Sequence, residues 1–420
     1  EKNAAAAAKI ERTAVIGAGV MGAGIAHWLS SRKLPVILQD LSAERVAAGL
    51  SLISKRYAEA VKRRIFTRAE AARLFEHVSP AAEPVPLVLA DLVIEAATEK
   101  LALKKKIFEN LEKRVRPEAI LATNTSALPI GEIAAGLEHP ERVIGLHFFN
   151  PVHRMQLVEI VVPETTDPAV VESALAFVKA IAKLPVIVSD TPGFLVNRVL
   201  MPYLVEAGLL YQAGVSARAI DEAMLDFGMP MGPLRLLDEI GLDVALDVAQ
   251  TLAAAFPERM MVPPILERLV AEGRLGHKGG GGFYQRGPGQ QPARETPERE
   301  MHLGADELRE RMTLLMVNEA ARCLEQRVVA TPEDADFAMI MGTGFAPFRG
   351  GPLRYADDLG IPVVVETLRR LAQQAQFGPP ERFQPCARLL AMENEGEQFY
   401  PPKDPSPANN HPNPKDDEDD

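Results

Sequence analysis

Thr13-Ala14-Val15-Ile16-Gly17-Ala18-Gly19-Val20-Met21-Gly22-Ala23-Gly24-Ile25-Ala26 decides the fold. Four apolar residues run straight into a G-x-G-x-x-G turn, and a helical apolar pattern resumes at Ile25-Ala26-His27-Trp28-Leu29. A strand that turns on glycine into a helix is the context in which such a motif has a mechanism. Gly17 permits the tight turn, Gly19 lets the backbone approach a pyrophosphate, and Gly22 allows the helix to pack closely on the strand. The first turn of that helix, with Val20 and Met21, presents bare amides and the positive end of the helix dipole to an anion. About twenty residues on, the apolar run Val36-Ile37-Leu38-Gln39 ends in Asp40. A carboxylate there accepts both ribose hydroxyls and repels a 2′-phosphate, so NAD is expected rather than NADP.

Working outward, short apolar runs recur with amphipathic stretches between them: Pro35–Leu38, Leu92–Ile94, Ala119–Ala122 and Val143–Leu146, extended by Leu157–Val162 and Pro185–Val188. Strands alternating with helices predict a mostly parallel, doubly wound, Rossmann-like α/β sheet. After Thr191-Pro192-Gly193 the pattern turns helical, with helix-start signals at Ser216 and Thr331-Pro332. That helical part repeats itself. Arg198–Gly241 resembles Arg311–Gly360, pairing Glu206 with Glu319, Met224 with Met339, Gly232-Pro233 with Gly351-Pro352, and Gly241 with Gly360. Two homologous all-α C-terminal domains are therefore expected, connected by the Gly-rich run His277–Phe283 and the Pro/Gly/Gln stretch Gly287–Pro292. The expected division is a linker remnant at 1–10, an NAD-binding domain at 11–190, helical domains at 191–287 and 300–391 with a linker at 288–299, and a disordered acidic tail at 392–420.

The bulk numbers agree with several folded domains: 420 residues, 47% hydrophobic and 25% charged. A formal net charge of −11 argues against a nucleic-acid binder, although part of it sits in the terminal run Asp416–Asp420. No apolar stretch approaches the roughly 18–20 residues of a spanning helix. The two cysteines, Cys323 and Cys386, lack metal-ligand spacing and fit ordinary thiols in a reducing, cytoplasmic compartment. No metal is expected.

Three strand ends carry polar residues that a structural connection does not require: Ala96–Lys100 with Glu99, Thr123-Asn124-Thr125-Ser126, and His147-Phe148-Phe149-Asn150-Pro151. In open α/β sheets such ends face the same crevice as the cofactor loop. Glu159 lies inside the apolar run Leu157–Ile160, where an unpaired carboxylate is costly, and His147 is its sensible partner. Oxidising an alcohol by loss of hydride needs a base for the hydroxyl proton, which an imidazole supplies near neutrality. Glu159 on the other ring nitrogen would fix its tautomer. Asn197, one turn into the first helix at the domain seam, is a candidate for orienting a substrate oxygen.

The segments GAGVMGAGIA, DLVIEAATEK, TNTSAL, GLHFFNP, LVEIV, DTPGFLVNR and GHKGGGGFY, in this order and spacing from about Ile10 to Leu390, resemble the 3-hydroxyacyl-CoA dehydrogenases. The likeness is greatest to the dehydrogenase half of bacterial multifunctional fatty-acid β-oxidation α-subunits. By that resemblance His147 and Glu159 take the catalytic pair, and Ser126 and Asn197 the substrate-orienting groups, Ser126 lying near the nicotinamide as well. Gly17 to Gly22, Asp40, Glu99, Lys104 and Asn150 match NAD contacts. Lys55, Arg56, Lys62, Arg63 and Arg64 resemble a cationic patch for the phosphates of CoA. The resemblance also implies an enoyl-CoA hydratase domain upstream in a longer chain and a thiolase β-subunit as partner. The second helical copy would replace a dimer interface, compatible with a monomer, and would carry no site because Asp306–Met312 lacks the asparagine. Two other readings keep the nucleotide fold: a dehydrogenase of free 3-hydroxyacids, and a non-catalytic NAD-binding relative.

Overall fold

The computed structural model describes residues 8–285, 301–374 and 378–401. The first part alternates as the sequence predicts: β1 (Thr13–Ile16), α1 (Val20–Ser31), β2 (Val36–Gln39), α2 (Ala43–Lys62), α3 (Arg68–Phe75), β3 (Val78–Ala81), β4 (Leu92–Glu95), α4 (Leu101–Glu112), β5 (Ile120–Thr123), α5 (Ile130–Ala134), β6 (Val143–Phe148), β7 (Leu157–Val162), α6 (Pro168–Ala180) and β8 (Leu184–Ser189). The eight strands form one sheet in the order β3-β2-β1-β4-β5-β6-β7-β8. All neighbours pair in parallel except β6 and β7, which are antiparallel. The order reverses between β1 and β4, which opens a crevice at their carboxyl ends. The antiparallel register sets His147 directly opposite Glu159. Strand β3 has no counterpart among the expected runs. Its Val-Ser-Pro-Ala sequence lacks a β pattern, and Pro80 is tolerated because β3 lies at the sheet edge.

The helical part begins with α7 (Val196–Gln212), α8 (Ala217–Phe227), α9 (Pro233–Ile240), α10 (Leu242–Ala255) and α11 (Pro264–Ala271). Its repeat comprises α12 (Ala305–Glu325), α13 (Pro332–Thr343), α14 (Pro352–Leu359), α15 (Ile361–Gln373) and α16 (Ala387–Glu395). The same local chemistry builds both copies. Helices α8 and α13 are capped by the side chains of Ser216 and Thr331 and stop at left-handed Gly228 and Gly344. Helices α9 and α14 both start with proline, and buried Asp221 and Asp336 accept the amides of Leu234 and Arg235, and of Leu353 and Arg354.

The copies face each other across α7 and α12 through reciprocal buried ion pairs. Arg198 meets Glu319 at 2.8 Å and Arg311 meets Glu206 at 2.7 Å. Arg259 adds to Glu319 at 3.1 Å and Arg382 to Glu206 at 2.8 Å. Such exchange of equivalent partners is the signature of a two-fold interface, here made within one chain. One hydrophobic core joins a face of the sheet to both helical copies, and a second fills the space between the opposite face and α1, α2, α3 and α6.

Two sequence expectations change. The tail does not begin at 392: α16 continues to Glu395, Phe399 is buried, and the Phe399 and Tyr400 amides donate to Asp357. The Gly-rich run ending at Phe283 is likewise part of the first copy, because the Phe283 and Tyr284 amides donate to Asp238. The two Phe-Tyr pairs are equivalent, and the hydroxyls of Tyr284 and Tyr400 close on Asp221 and Asp336. Of the expected linkers and tail, residues 1–7, the 288–299 linker with Gly287–Pro292, and 402–420 lie outside the described residues.

Candidate active site

At the crevice, Gly17 has φ +107° and a Cβ there would stand 2.6 Å from the Ala96 carbonyl oxygen, at the end of β4. A Cβ on Gly22 would fall 1.8 Å from the Gly17 carbonyl oxygen, so neither position admits a side chain. Exposed Gly19 caps α1, and Val20 is exposed beside it. Asp40 closes the loop from the other side: one carboxylate oxygen accepts the Ala18 amide at 2.7 Å and the other the Leu41 amide at 2.7 Å. Bare backbone at a helix start beside a fixed carboxylate fits a dinucleotide's pyrophosphate and its ribose.

A polar network runs under the neighbouring strand ends. Glu95, at the end of β4, is fully buried and accepts from the Ala97 amide at 2.6 Å, Thr123 Oγ1 at 2.7 Å and Lys104 Nζ at 2.9 Å. Lys104 is also buried and reaches Glu99 at 3.3 Å. Lys104, expected among the NAD contacts, is an ammonium held between two carboxylates, and it fixes the Glu99 loop from behind. Glu99 in turn accepts from the Thr125 hydroxyl and, at 2.8 Å, from the Ser126 amide. Asn197 Nδ2 donates to the Ser126 carbonyl at 2.9 Å, which ties α7 to the end of β5. Asn124 accepts the Phe148 amide at 2.9 Å and so anchors the end of β6. Beyond it Asn150 is exposed.

His147 Nδ1 lies 2.7 Å from Glu159 Oε2, both residues buried, with Phe149 and Phe194 ring centres 4.5 and 5.8 Å from the imidazole. The other carboxylate oxygen belongs to the helical part: Glu159 Oε1 accepts the Leu195 amide at 3.1 Å and the Val196 amide at 2.9 Å. These are donors at the start of α7, where an anion is favoured. The turn that presents them places Gly193 at φ +73° and Phe194 at φ 53°, a region uncommon for a bulky side chain and typical of functional sites. Neither these amides nor Glu95 was singled out in the sequence. Glu95 left a trace as a carboxylate ending an apolar strand with Lys104 downstream, whereas backbone donors leave none.

On α2, Lys55 and Lys62 are exposed, as are Arg63 and Arg64 just beyond it. Arg56 turns inward instead. Its guanidinium approaches the Val20 carbonyl at 3.4 Å and packs over Gly24, so it stands apart from the exposed row. Among the described residues no three His, Cys, Asp or Glu are grouped to hold a metal ion, and no helix is long and apolar enough to cross a membrane.

A doubly wound sheet with a dinucleotide loop at its switch point and a carboxylate-held histidine at its carboxyl edge defines a nicotinamide-dependent dehydrogenase. The family model described as "3-hydroxyacyl-CoA dehydrogenase, NAD binding domain" matches residues 12–191, and that described as "3-hydroxyacyl-CoA dehydrogenase, C-terminal domain" matches residues 193–286 and 308–398. The chain belongs to the 3-hydroxyacyl-CoA dehydrogenase family, is an NAD-dependent dehydrogenase, and carries the family's C-terminal domain twice. It is 39% identical over 402 residues to the fatty acid oxidation complex subunit alpha of Shewanella frigidimarina, covering 93% of this chain and 56% of that protein. The chain thus spans about half the length of the curated relatives it matches. Among solved structures, 3-hydroxybutyryl-CoA dehydrogenase from Escherichia coli K12 superposes with a TM-score of 0.81 at 30% identity, covering 92% of this chain and 99% of that one. (S)-3-hydroxybutyryl-CoA dehydrogenase from Ralstonia eutropha gives 0.63 at 36% identity, over 66% and 100% of the two chains.

Proposed function

We propose that this chain oxidises the 3-hydroxyl group of a 3-hydroxyacyl-CoA thioester to the ketone in fatty-acid β-oxidation, with His147 as the base. The observation that carries this reading is the 2.7 Å bond between His147 and Glu159 at the sheet edge that bears the Gly17–Gly22 loop. With Nδ1 bonded to the carboxylate, the imidazole has Nε2 to take the hydroxyl proton, and Glu159 holds the ring's orientation and compensates the charge it gains. NAD bound on the Gly17–Gly22 loop, Asp40, Glu99 and Asn150 supplies the hydride acceptor. Ser126 and Asn197, joined to each other, orient the substrate's oxygens, and the exposed Lys55, Lys62 and Arg63 attract its phosphates.

The relatives' name and length support reading the chain as the dehydrogenase portion of a larger bacterial polypeptide, and two cysteines without metal-ligand spacing fit a cytoplasmic one. An upstream hydratase domain and a thiolase partner belong to the same proposal. NADH absorbance during acetoacetyl-CoA reduction tests the mechanism. His147→Gln is expected to lower kcat by about 10²- to 10⁴-fold, and equal rates for the two proteins overturn the assignment. Faster turnover of free 3-hydroxybutyrate than of its CoA thioester would point instead to a free-acid dehydrogenase. NADH binding without turnover of any hydroxyacyl-CoA would mark a non-catalytic relative.

A further inference from the structure

The second helical copy reaches the catalytic pair at two places that its structural duty does not require. Helix α7, whose first amides hold Glu159, is itself held at Arg198: Nε donates to Glu319 on α12 at 2.8 Å and Nη2 to Gln326, the C-cap of that helix, at 2.5 Å. Arg198 and Glu319 are buried, so their geometry is fixed by packing and not by solvent. On α13, Gly342 sits where a Cβ would stand 3.1 Å from Val196 Cγ1 and 2.9 Å from Leu157 Cδ2. Val196 donates one of the two amides on Glu159, and Leu157 lies two residues before Glu159 on β7. The Ser189 amide at the end of β8 donates to the Val328 carbonyl at 2.9 Å, so the second copy also grips the sheet directly.

We propose that the second helical copy is a positioning element for the catalytic pair, with Glu319 setting the start of α7 through Arg198 and Gly342 setting the distance of Val196 from β7. Neither residue touches the reacting atoms. Each fixes the amides that fix Glu159, which in turn aims His147. The inference rests on the His147–Glu159 reading above.

The test uses Glu319→Gln and Gly342→Val in the full chain, each alone and combined with Glu159→Gln. It measures kcat and KM for 3-hydroxybutyryl-CoA oxidation and the Kd of NADH by fluorescence. Both single variants are expected to lose kcat by about tenfold or more, since displacements on the order of 1 Å are costly in active sites, while KM and Kd stay within about twofold. On the Glu159→Gln background the same substitutions are expected to change kcat by less than about twofold, because residues that act through one group do not add. An equal loss on both backgrounds overturns the proposal, as does wild-type kcat in folded Gly342→Val. Should Glu319→Gln or Gly342→Val fail to fold, Gly342→Ala meets only side-chain ends and is expected to lose kcat by about two- to threefold. Wild-type kcat in that variant overturns the proposal too. If Glu159→Gln alone keeps full activity, the catalytic pair itself is misassigned; if it is impaired while the others are normal, only the positioning role fails.

Discussion

The two helical copies share their scaffold and differ at their first turn. In the first copy α7 begins only at Val196, after a turn through Gly193 and Phe194, and its opening amides are free to hold Glu159. In the second, α12 begins at Ala305, and the amide of Leu308, which occupies the place of Leu195, is spent within the helix on the Gly304 carbonyl at 3.1 Å. Where the first copy has Asn197 before Arg198, the second has Glu310 before Arg311, and Glu310 pairs with Arg370 on the surface. The ion pairs, the capping aspartates and the Phe-Tyr closures are kept in both. The copies share what builds the fold and differ at the turn that holds Glu159. Starting a helix four residues sooner is enough to remove a carboxylate-binding site.

The comparison breaks most readily at the reciprocal ion pairs. Glu206→Ala removes the carboxylate shared by Arg311 and Arg382, and is expected to lower unfolding free energy by about 3–5 kcal/mol, read from denaturant midpoints. A loss under about 1 kcal/mol would mean that this half of the interface is ornamental. The capping aspartates come next. Burial pushes Asp221 and Asp336 up from 3.8 to about 6 in both copies. The folded chain therefore holds those protons more tightly than the unfolded one, and the stabilisation is complete below about pH 4 and is lost as pH rises through about 6. Each carboxylate is expected to contribute about 3 kcal/mol to the decline of stability between pH 4 and 7. Asp221→Asn and Asp336→Asn should each flatten the pH curve by that amount relative to wild type, whatever their absolute stability. Unequal flattening would show that the two caps are not equivalent. The third contrast concerns the residues that distinguish the copies. Asn197→Ala is expected to reduce kcat/KM by up to about 10²-fold by releasing the Ser126 loop, a smaller effect in free energy than either of the first two. Glu310→Ala should leave turnover unchanged and shift stability by less than about 0.5 kcal/mol, as exposed ion pairs do.

Much of this architecture could be read from the chain because it is written in local terms. The Gly17–Gly22 loop, Asp40, the polar strand ends and the Gly-Pro starts of α9 and α14 are each a few adjacent residues with one physical reason. The His147–Glu159 juxtaposition was legible because a carboxylate in an apolar run demands a partner, and the antiparallel pairing of β6 and β7 delivers one. Strand β3 was not legible, since an edge position rather than composition makes Val78–Ala81 a strand. Nor was the burial of Lys104, which depends on Glu95 nine residues earlier in sequence. The Phe-Tyr closures were hidden for another reason. Their partners, Asp238 and Asp357, lie 45 and 42 residues away, and the intervening segments differ in the two copies.

Glu159 is a shared latch. One of its oxygens engages an imidazole rooted in the sheet, the other the first turn of the helical body, so the proposed base is aligned only while the two bodies are seated on one another. Any swing that parted them along this seam to let product leave would uncouple the imidazole in the same movement, and an open enzyme would be an idle one.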